Sequence, residues 1–397
     1  MVLAATLSGF FMFAVHIFNN RIPKSEYGVF GALLSLLVLT QIPTIGMQTV
    51  FARQTAAALS EDERRRLAGT IRGVVLGMFV IWLALAGAAL FWQKEILEAF
   101  KISNPAALWF TMVLALISLW TPIFQGVLQG LQIFFWMGWS SILAGVGRFS
   151  CVALLVLVLK QYAAGMMLAA LCGALPSLTI GLWFTRSTWR GAVEKVPWGA
   201  WLKDVVPLTV GMGASQFLFA LDIVMVKIFF LKDVRGEDVS GAYVAAATVG
   251  RALVMFLAPL AQVMFPKLVG SFVRSEKSDV LMLTFLWTAL LGICAALGLT
   301  FCIKPIFQVV FPKYLEITPL IGLYGWCVLP QALGNVLLGN LLARNQFKSV
   351  AWLAVVAAGY GAGLVFFHES FSMVVKTMGV FSLLFFGVAA LFTWWKK

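Results

Sequence analysis

The sequence has 397 residues, of which 61% are hydrophobic and 11% are charged, with a mean hydropathy of +0.96 and a formal net charge of +13. An ordinary soluble domain is about 25% charged, so this composition excludes a soluble protein and indicates one that crosses a membrane several times. The excess of positive charge suggests an anionic partner, either lipid headgroups at the membrane surface or an anionic substrate inside the protein.

Apolar runs of about 20 residues predict an all-α membrane protein with about 12 transmembrane helices. The spans are expected at residues 2–20, 28–56, 68–92, 106–130, 136–159, 163–185, 204–231, 241–268, 280–303, 317–342, 349–367 and 371–394. Basic residues are more frequent in the loops after even-numbered spans and at the C-terminus, which predicts that both termini are cytoplasmic. The first apolar stretch lacks a small-residue cleavage site, so we expect it to remain as the first helix.

The chain repeats itself at a constant offset. Gly28 corresponds to Gly241, and the segment 126–134 corresponds to 339–347. Several such matches predict two six-helix lobes that share one orientation and enclose a cleft. The predicted boundaries are 1–190 for the N-lobe, 191–203 for a basic cytoplasmic linker and 204–397 for the C-lobe.

Two charged residues interrupt the apolar stretch 210–268, namely Asp222 on the seventh predicted span and Arg251 on the eighth. At a rise of roughly 1.5 Å per residue, each lies about 14 to 15 Å from the turn that joins these spans, near the bilayer midplane. Charged side chains at this depth usually have a partner and face a bundle interior or a wet cavity. We therefore expect the two residues to lie together and to line an internal polar space; the alternative is a structural ion pair that fixes two helices.

The motifs of common membrane-associated enzymes are missing from the sequence. It contains no GxxxxGK[ST], HExxH or GxSxG motif, and its only histidines are His16 and His368. The cysteines all lie in apolar stretches without CxxC spacing, which favours packing roles: Cys151, Cys172, Cys294, Cys302 and Cys327. We therefore expect no enzymatic activity, no catalytic residue, no cofactor, no metal and no nucleic-acid partner, and the functions that remain are binding and transport.

Two long stretches carry a resemblance to a known family. EYGVFGALLSLLVLTQIPTIGMQTVFARQTA (26–56) is similar to the start of the Wzx-type polysaccharide transporters, in which a Gly-Pro-x-x-Tyr/Phe-Gly turn opens the second helix. The stretch 222–268 resembles the seventh and eighth helices of the same family, with an Asp, an apolar helix, a Gly-x-Tyr start and a closing Phe-Pro-Lys/Arg. The likeness extends over nearly the whole chain in order.

The resemblance implies a flippase of the multidrug/oligosaccharidyl-lipid/polysaccharide (MOP) exporter superfamily, with the MATE-like fold. Such a protein would move an undecaprenyl-diphosphate-linked oligosaccharide from the cytoplasmic to the periplasmic leaflet of a bacterial inner membrane, by rocking two lobes around a cationic cavity. The implied partners are this lipid-linked oligosaccharide, membrane lipids, a polysaccharide polymerase and glycosyltransferases.

A diphosphate inside a bilayer needs fixed cations in place of its water, and the planar guanidinium of arginine binds phosphate oxygens in pairs. The candidates for a cationic cavity are Arg21, Arg53, Arg148 and Arg251. The alternative for Arg21 and Arg53 is snorkelling to headgroups, and for Arg148 it is bonding to backbone carbonyls of a neighbouring helix. Asp222 is the candidate for coupling to a proton gradient, because its protonation would release Arg251.

Rival functions remain open at this point. A cation-coupled multidrug exporter of the same fold relies on carboxylates in the first six spans, and this sequence has none well inside them. A lipid II flippase has similar substrate chemistry but usually carries more than twelve helices. A sugar/proton symporter of the major facilitator type is expected to have a Gly-x-x-x-Asp-Arg loop after the second span, which is missing. Charged side chains near the bilayer midplane argue against a non-transporting scaffold for polysaccharide assembly, because a scaffold does not require them.

Overall fold

The computed structural model describes residues 2–230, 239–273, 280–344 and 346–394, and these residues form helices and turns without a strand. Residues 231–238, which include the turn predicted between the seventh and eighth spans, and residues 274–279 lie outside the described residues. By contacts, the chain forms two compact units, Met1–Thr209 and Val210–Lys397. Each unit is described separately below.

The first unit is built from nine complete helices and the start of a tenth. They are α1 (Val2–Ala14), α2 (Lys24–Thr40), α3 (Met47–Ala57), α4 (Glu61–Phe91), α5 (Gln93–Ala99), α6 (Ala106–Gly130), α7 (Phe134–Val152), α8 (Tyr162–Phe184), α9 (Arg186–Trp189) and α10 (Trp198–Phe229). A 3-10 segment, Val15–Arg21, continues α1, and a π-helical turn, Ala153–Val158, continues α7. Residues 198–203 of the predicted linker form the first turns of α10.

The second unit contains the rest of α10 and six further helices. They are α11 (Ser240–Val273), α12 (Val280–Phe301), α13 (Ile303–Val310), α14 (Thr318–Ala343), α15 (Lys348–Phe366) and α16 (Phe371–Trp394). The helix α14 is the centre of this unit, because it packs against α11, α12 and α16. Leu337, Leu341, Ala389 and Phe392 form a buried apolar cluster between α14 and α16.

Ten helices in the described part of the chain are long and apolar enough to cross a membrane, and there are eleven if α2 and α3 form one bent span. These two helices meet at an angle of 40°, and the short 3-10 segment between them, Ile42–Thr44, contains Pro43. Proline lacks the amide hydrogen that a continuous helix needs, which accounts for the break. The remaining predicted span, 2–20, coincides with α1 and its 3-10 continuation. The chain is therefore a multi-pass, all-helical membrane protein, as its composition predicted.

The internal repeat is visible in the helix bounds and in the packing of each unit. Shifted by the offset that relates Gly28 to Gly241, α6 and α7 fall on residues 319–343 and 347–365, and α14 and α15 occupy nearly the same residues. In the first unit α6 packs against α3 and α8, and in the second α14 packs against α11 and α16. Each unit thus repeats one arrangement of helices.

Candidate functional site

Glycines fix the backbone of α7 at the level of Arg148. A Cβ atom on Gly145 would lie 2.9 Å from the Cα of Ser8 on α1, and a Cβ atom on Gly173 of α8 would lie 2.8 Å from the Cβ of Arg148. Helices in membranes approach each other this closely where small residues face the neighbouring backbone. The helix α7 is therefore held between α1 and α8, and the position of Arg148 is set by both.

The side chain of Arg148 is partly buried and has only weak partners. Its Nη1 atom lies 3.6 Å from the Sδ of Met12, and its Cζ lies 5.7 Å from the centre of the Phe30 ring. Its Nε is buried without a hydrogen-bond acceptor among the described residues, and no carboxylate there is within ion-pair distance. A thioether and an aromatic face satisfy a guanidinium poorly. Most of the donor capacity of Arg148 is therefore unused.

A histidine and a tyrosine complete the surroundings of Arg148. The Nδ1 of His16 and the hydroxyl of Tyr27 share a hydrogen bond of 2.7 Å. Both rings also pack against Phe30, at centroid distances of 6.2 Å, and Tyr27 and Phe30 are fully buried. We call Met12, His16, Tyr27, Phe30 and Arg148 the Arg148 cluster. It combines one cation, one imidazole and one hydroxyl, and none of its members is an acid.

The surroundings of Arg251 are strongly polar. This residue is 8% exposed and forms an ion pair with Asp222. Its Nε donates a hydrogen bond of 2.9 Å to the hydroxyl of Tyr324, and its Cζ lies 4.8 Å from the centre of the Phe219 ring. The guanidinium is therefore engaged by a carboxylate, a hydroxyl and an aromatic face at once.

Asp222 is fully buried and accepts hydrogen bonds from three side chains. Besides Arg251, the hydroxyls of Tyr243 and Tyr324 donate to its carboxylate at 2.8 and 2.9 Å. We call Asp222, Tyr243, Arg251 and Tyr324 the Asp222 cluster; it ties α10, α11 and α14 together. The structure thus brings Asp222 and Arg251 together, in the closed network that a structural ion pair requires.

The other two candidate arginines belong to neither cluster. Arg21 is exposed at the end of the 3-10 segment that follows α1, and Arg53 is exposed on α3. Neither side chain forms a hydrogen bond or an ion pair with the described residues. This position suits a long side chain that reaches towards lipid headgroups.

Sequence reasoning missed the tyrosines. Tyr27 on α2, Tyr243 on α11 and Tyr324 on α14 are fully buried, and each hydroxyl has a polar partner. A buried tyrosine hydroxyl usually has such a partner, so a tyrosine near or inside a predicted span is a usable signal of a polar network. Gly250 leaves room for Tyr324, because a Cβ atom there would lie 2.7 Å from the Cγ of that ring.

Solved structures with a similar fold are transporters and flippases. The inward closed form of the lipid II flippase MurJ is 16% identical, with a TM-score of 0.74 over 100% of this chain and 88% of that chain. An inward-facing multidrug resistance MATE family transporter of the MOP superfamily is 8% identical, with a TM-score of 0.72 over 98% and 93%. A MOP superfamily transporter from Pyrococcus furiosus is 11% identical, with a TM-score of 0.60 over 99% and 92%. At these identities the likeness establishes a common fold.

The sequence of the chain matches one protein family, described below. No curated protein matches the chain. The family described as "Polysaccharide biosynthesis protein" matches residues 3–272, which include both the Arg148 cluster and most of the Asp222 cluster. This match extends over more than half of the chain, and the fold agrees with that of the MOP superfamily. The chain belongs to the polysaccharide biosynthesis protein family.

Proposed function

We propose that the protein is a flippase that moves an undecaprenyl-diphosphate-linked oligosaccharide from the cytoplasmic to the periplasmic leaflet of a bacterial inner membrane. Membership of a polysaccharide biosynthesis family supports a saccharide cargo. A fold that is also found in a lipid II flippase supports the movement of a lipid-linked molecule. In this proposal both termini are cytoplasmic, and glycosyltransferases and a polymerase act before and after the transport step.

Arg148 is the observation that carries the proposal. It lies ten residues before the end of the span Phe134–Val158, or about 15 Å at a rise of roughly 1.5 Å per residue. A cation at that depth is costly in hydrocarbon and is retained where water or an anionic ligand compensates it. The guanidinium has weak partners in Met12 and Phe30 and keeps donors for an incoming acceptor. We infer that these donors bind the diphosphate during translocation.

The other charged residues have subordinate roles in this proposal. Arg21 and Arg53 are exposed and would attract the anionic headgroup near the two ends of its path. Arg251 is engaged by Asp222 and Tyr324, so its guanidinium becomes available to phosphate only when Asp222 is protonated. Transport driven by a proton gradient would use this release. An Asp222→Asn variant that transports with an unchanged response to the gradient would refute that coupling.

The test is the accumulation of undecaprenyl-diphosphate-linked glycan on the cytoplasmic leaflet of cells that carry Arg148→Gln, at equal protein level. Loss of a charge-assisted, paired hydrogen bond predicts translocation that is slower by about tenfold or more. The matched control is Arg186→Gln, which removes an exposed arginine stacked 4.3 Å from the ring of Trp183. Normal translocation by Arg148→Gln would refute the role of Arg148. No accumulation after deletion of the whole protein would refute the flippase proposal.

Lipid II is the second candidate cargo, because the MurJ fold is similar over the whole of this chain. The same assay separates the two cargoes by the identity of the lipid-linked glycan that accumulates.

A multidrug exporter is less well supported. In the first unit Glu26 lies in the first turn of α2, where its carboxylate accepts from the hydroxyl of Ser103 and from the amide of Ala163, so it is not a carboxylate at the centre of a span.

A further inference from the structure

A cavity of about 400 Å³ lies in the first unit, and no residue of either cluster lines it. Its wall includes the turn between α3 and α4, the end of α6 and the segment that follows α8. The polar side chains in the wall are Thr55, Glu61, Arg64, Arg65, Ser187 and Thr188. We call it the Arg64 cavity. Its volume is within the range of small-molecule sites, about 300–1,000 Å³.

One wall of the Arg64 cavity is held by hydrogen bonds to α4. The Nε and Nη2 of Arg72 on α4 donate hydrogen bonds of 2.6 and 2.8 Å to the carbonyls of Trp189 and Gly191. Arg66 donates two further hydrogen bonds, of 3.1 and 3.0 Å, to the carboxylate of Glu194. The segment 189–194 is therefore fastened along α4. Such a wall is preformed, so a ligand would not have to order it on binding.

The acids around the cavity are mostly engaged by other groups. Residues 60–72 and 186–195 contain seven basic and four acidic side chains. Among the acids, Glu61 is paired with Arg65 at 3.4 Å and Glu194 with Arg66. The carboxylate of Glu63 accepts the amides of Leu59 and Ser60 in the capping box that starts α4. The positive charge of the region is thus only partly neutralised.

Arg64 is the lining cation without a carboxylate partner among the described residues. Its contact is a 3.5 Å hydrogen bond from Nε to the carbonyl of Ala58, so its two terminal nitrogens keep their donors. The hydroxyls of Ser187 and Thr188 line the same cavity. Thr55 also lines it, is 8% exposed and has no hydrogen-bond partner for its Oγ1 in the described part of the chain. A guanidinium with nearby hydroxyls suits phosphate oxygens.

The position of the cavity points to a lipid as the source of that phosphate. Trp183, 62% exposed, and Trp198, 40% exposed, flank the segment that walls the cavity, and Arg186 is stacked on Trp183. Exposed tryptophans next to arginines at the ends of membrane helices mark the level of the headgroups. We propose that the Arg64 cavity binds the phosphate of a lipid headgroup. This inference does not depend on the flippase proposal, because an anionic phospholipid and a lipid-linked diphosphate carry the same group.

The test is lipid retention by the purified full-length protein, measured by native mass spectrometry with phosphatidylglycerol and phosphatidylcholine. We expect preferential retention of phosphatidylglycerol, and occupancy lower by about tenfold in Arg64→Gln, since one paired, charge-assisted contact is lost. Arg186→Gln removes the same charge outside the cavity and should retain the lipid. Equal retention of both lipids, or equal losses in the two variants, would overturn the proposal.

A second variant fills the cavity without changing its charge. Ala192 lines the cavity and is exposed, so Ala192→Leu should fold normally and still lower phosphatidylglycerol occupancy. Wild-type retention by a folded Ala192→Leu protein would count against the site. Competition then identifies the source: displacement by undecaprenyl diphosphate supports the lipid-linked substrate, and resistance to it supports bulk phospholipid. Displacement by inorganic diphosphate at the same concentration would overturn the lipid assignment.

Discussion

Two arginines at membrane depth have opposite surroundings in the two units. Arg251 is paired with the carboxylate of Asp222 inside a network of hydroxyls. Arg148 has a thioether from Met12 and the ring of Phe30 as its neighbours, without a carboxylate in the described residues. The first guanidinium is engaged by its neighbours, whereas the second keeps donors that its neighbours do not use. Residue type and depth are alike, so the two arginines differ in whether a carboxylate lies beside them.

The internal repeat sharpens this contrast. At the offset of the internal repeat, Arg148 corresponds to Gly361, Asp222 corresponds to Gly9 and Arg251 corresponds to Val38. The helices are thus repeated, and their polar clusters are not. Each unit therefore has its own charged group on a similar arrangement of helices.

The largest effect on stability is expected from separating Asp222 and Arg251. Arg251→Gln leaves a buried carboxylate without its cation, and removal of one partner of a buried pair costs about 3–5 kcal/mol. Thermal or denaturant unfolding of the purified protein measures this loss. The double variant Asp222→Asn/Arg251→Gln leaves no buried charge and should recover much of it. A double variant as unstable as the sum of the two single ones would mean that the pair contributes no coupling.

A smaller loss is expected from Tyr324→Phe. The hydroxyl of Tyr324 accepts from Arg251 and donates to Asp222, so its removal leaves two buried groups short of one partner each. The free energy of unfolding should fall by about 1–3 kcal/mol. Tyr360→Phe is the control, since Tyr360 is also fully buried but its hydroxyl has no hydrogen-bond partner in the described part of the chain. Equal losses in both variants would assign the effect to ring packing.

Hydrophobicity predicted most of the fold. The span expected at 106–130 is α6, Ala106–Gly130, and the one expected at 317–342 is α14, Thr318–Ala343. Both follow from runs of apolar residues whose length matches the bilayer. The proximity of Asp222 and Arg251 was also predictable, because two consecutive helices place them at similar depth. In these cases the signal is local in sequence.

The partners of the arginines were not predictable, because they depend on packing between distant helices. Tyr324 lies on α14, 73 residues after Arg251, and reaches it only because α11 and α14 pack together. The isolation of Arg148 is likewise a property of the folded unit, since no sequence pattern reports which side chains surround a given position. Single-residue reasoning therefore found the charges and could not separate their roles.

Replacement of Arg148 is expected to slow transport without lowering stability, which is the opposite of what is expected for Arg251. No carboxylate among the described residues depends on this cation, so Arg148→Gln should change the free energy of unfolding by less than about 1 kcal/mol while it slows translocation. Arg148→Lys keeps the charge but loses the paired geometry and should transport at an intermediate rate. Unfolding measured on the purified variants tests the first claim. A loss of stability as large as that of Arg251→Gln would erase the contrast between the two units.

The smallest effect is expected from the pair of Arg66 and Glu194. This pair is also an arginine beside a carboxylate, as in Arg251 and Asp222, but it is exposed to water. The side chains are 53% and 38% exposed, against 10% and 0% for Arg251 and Asp222. The hydrogen bonds from Arg66 hold the pKa of Glu194 below its ordinary value.

This pair therefore contributes fully above the ordinary glutamate pKa of about 4.3, and its contribution disappears as the pH falls through the lowered value. Because water and salt screen it, the fold should persist while the segment 189–194 loosens from α4. Amide hydrogen exchange of that segment measures the loosening, with Glu194→Gln at the same pH as the reference. Equal exchange of this segment in the two proteins at neutral pH as well as at acid pH would mean that Arg72, and not Arg66, holds the segment, because its bonds to the carbonyls of Trp189 and Gly191 do not involve the titrating carboxylate.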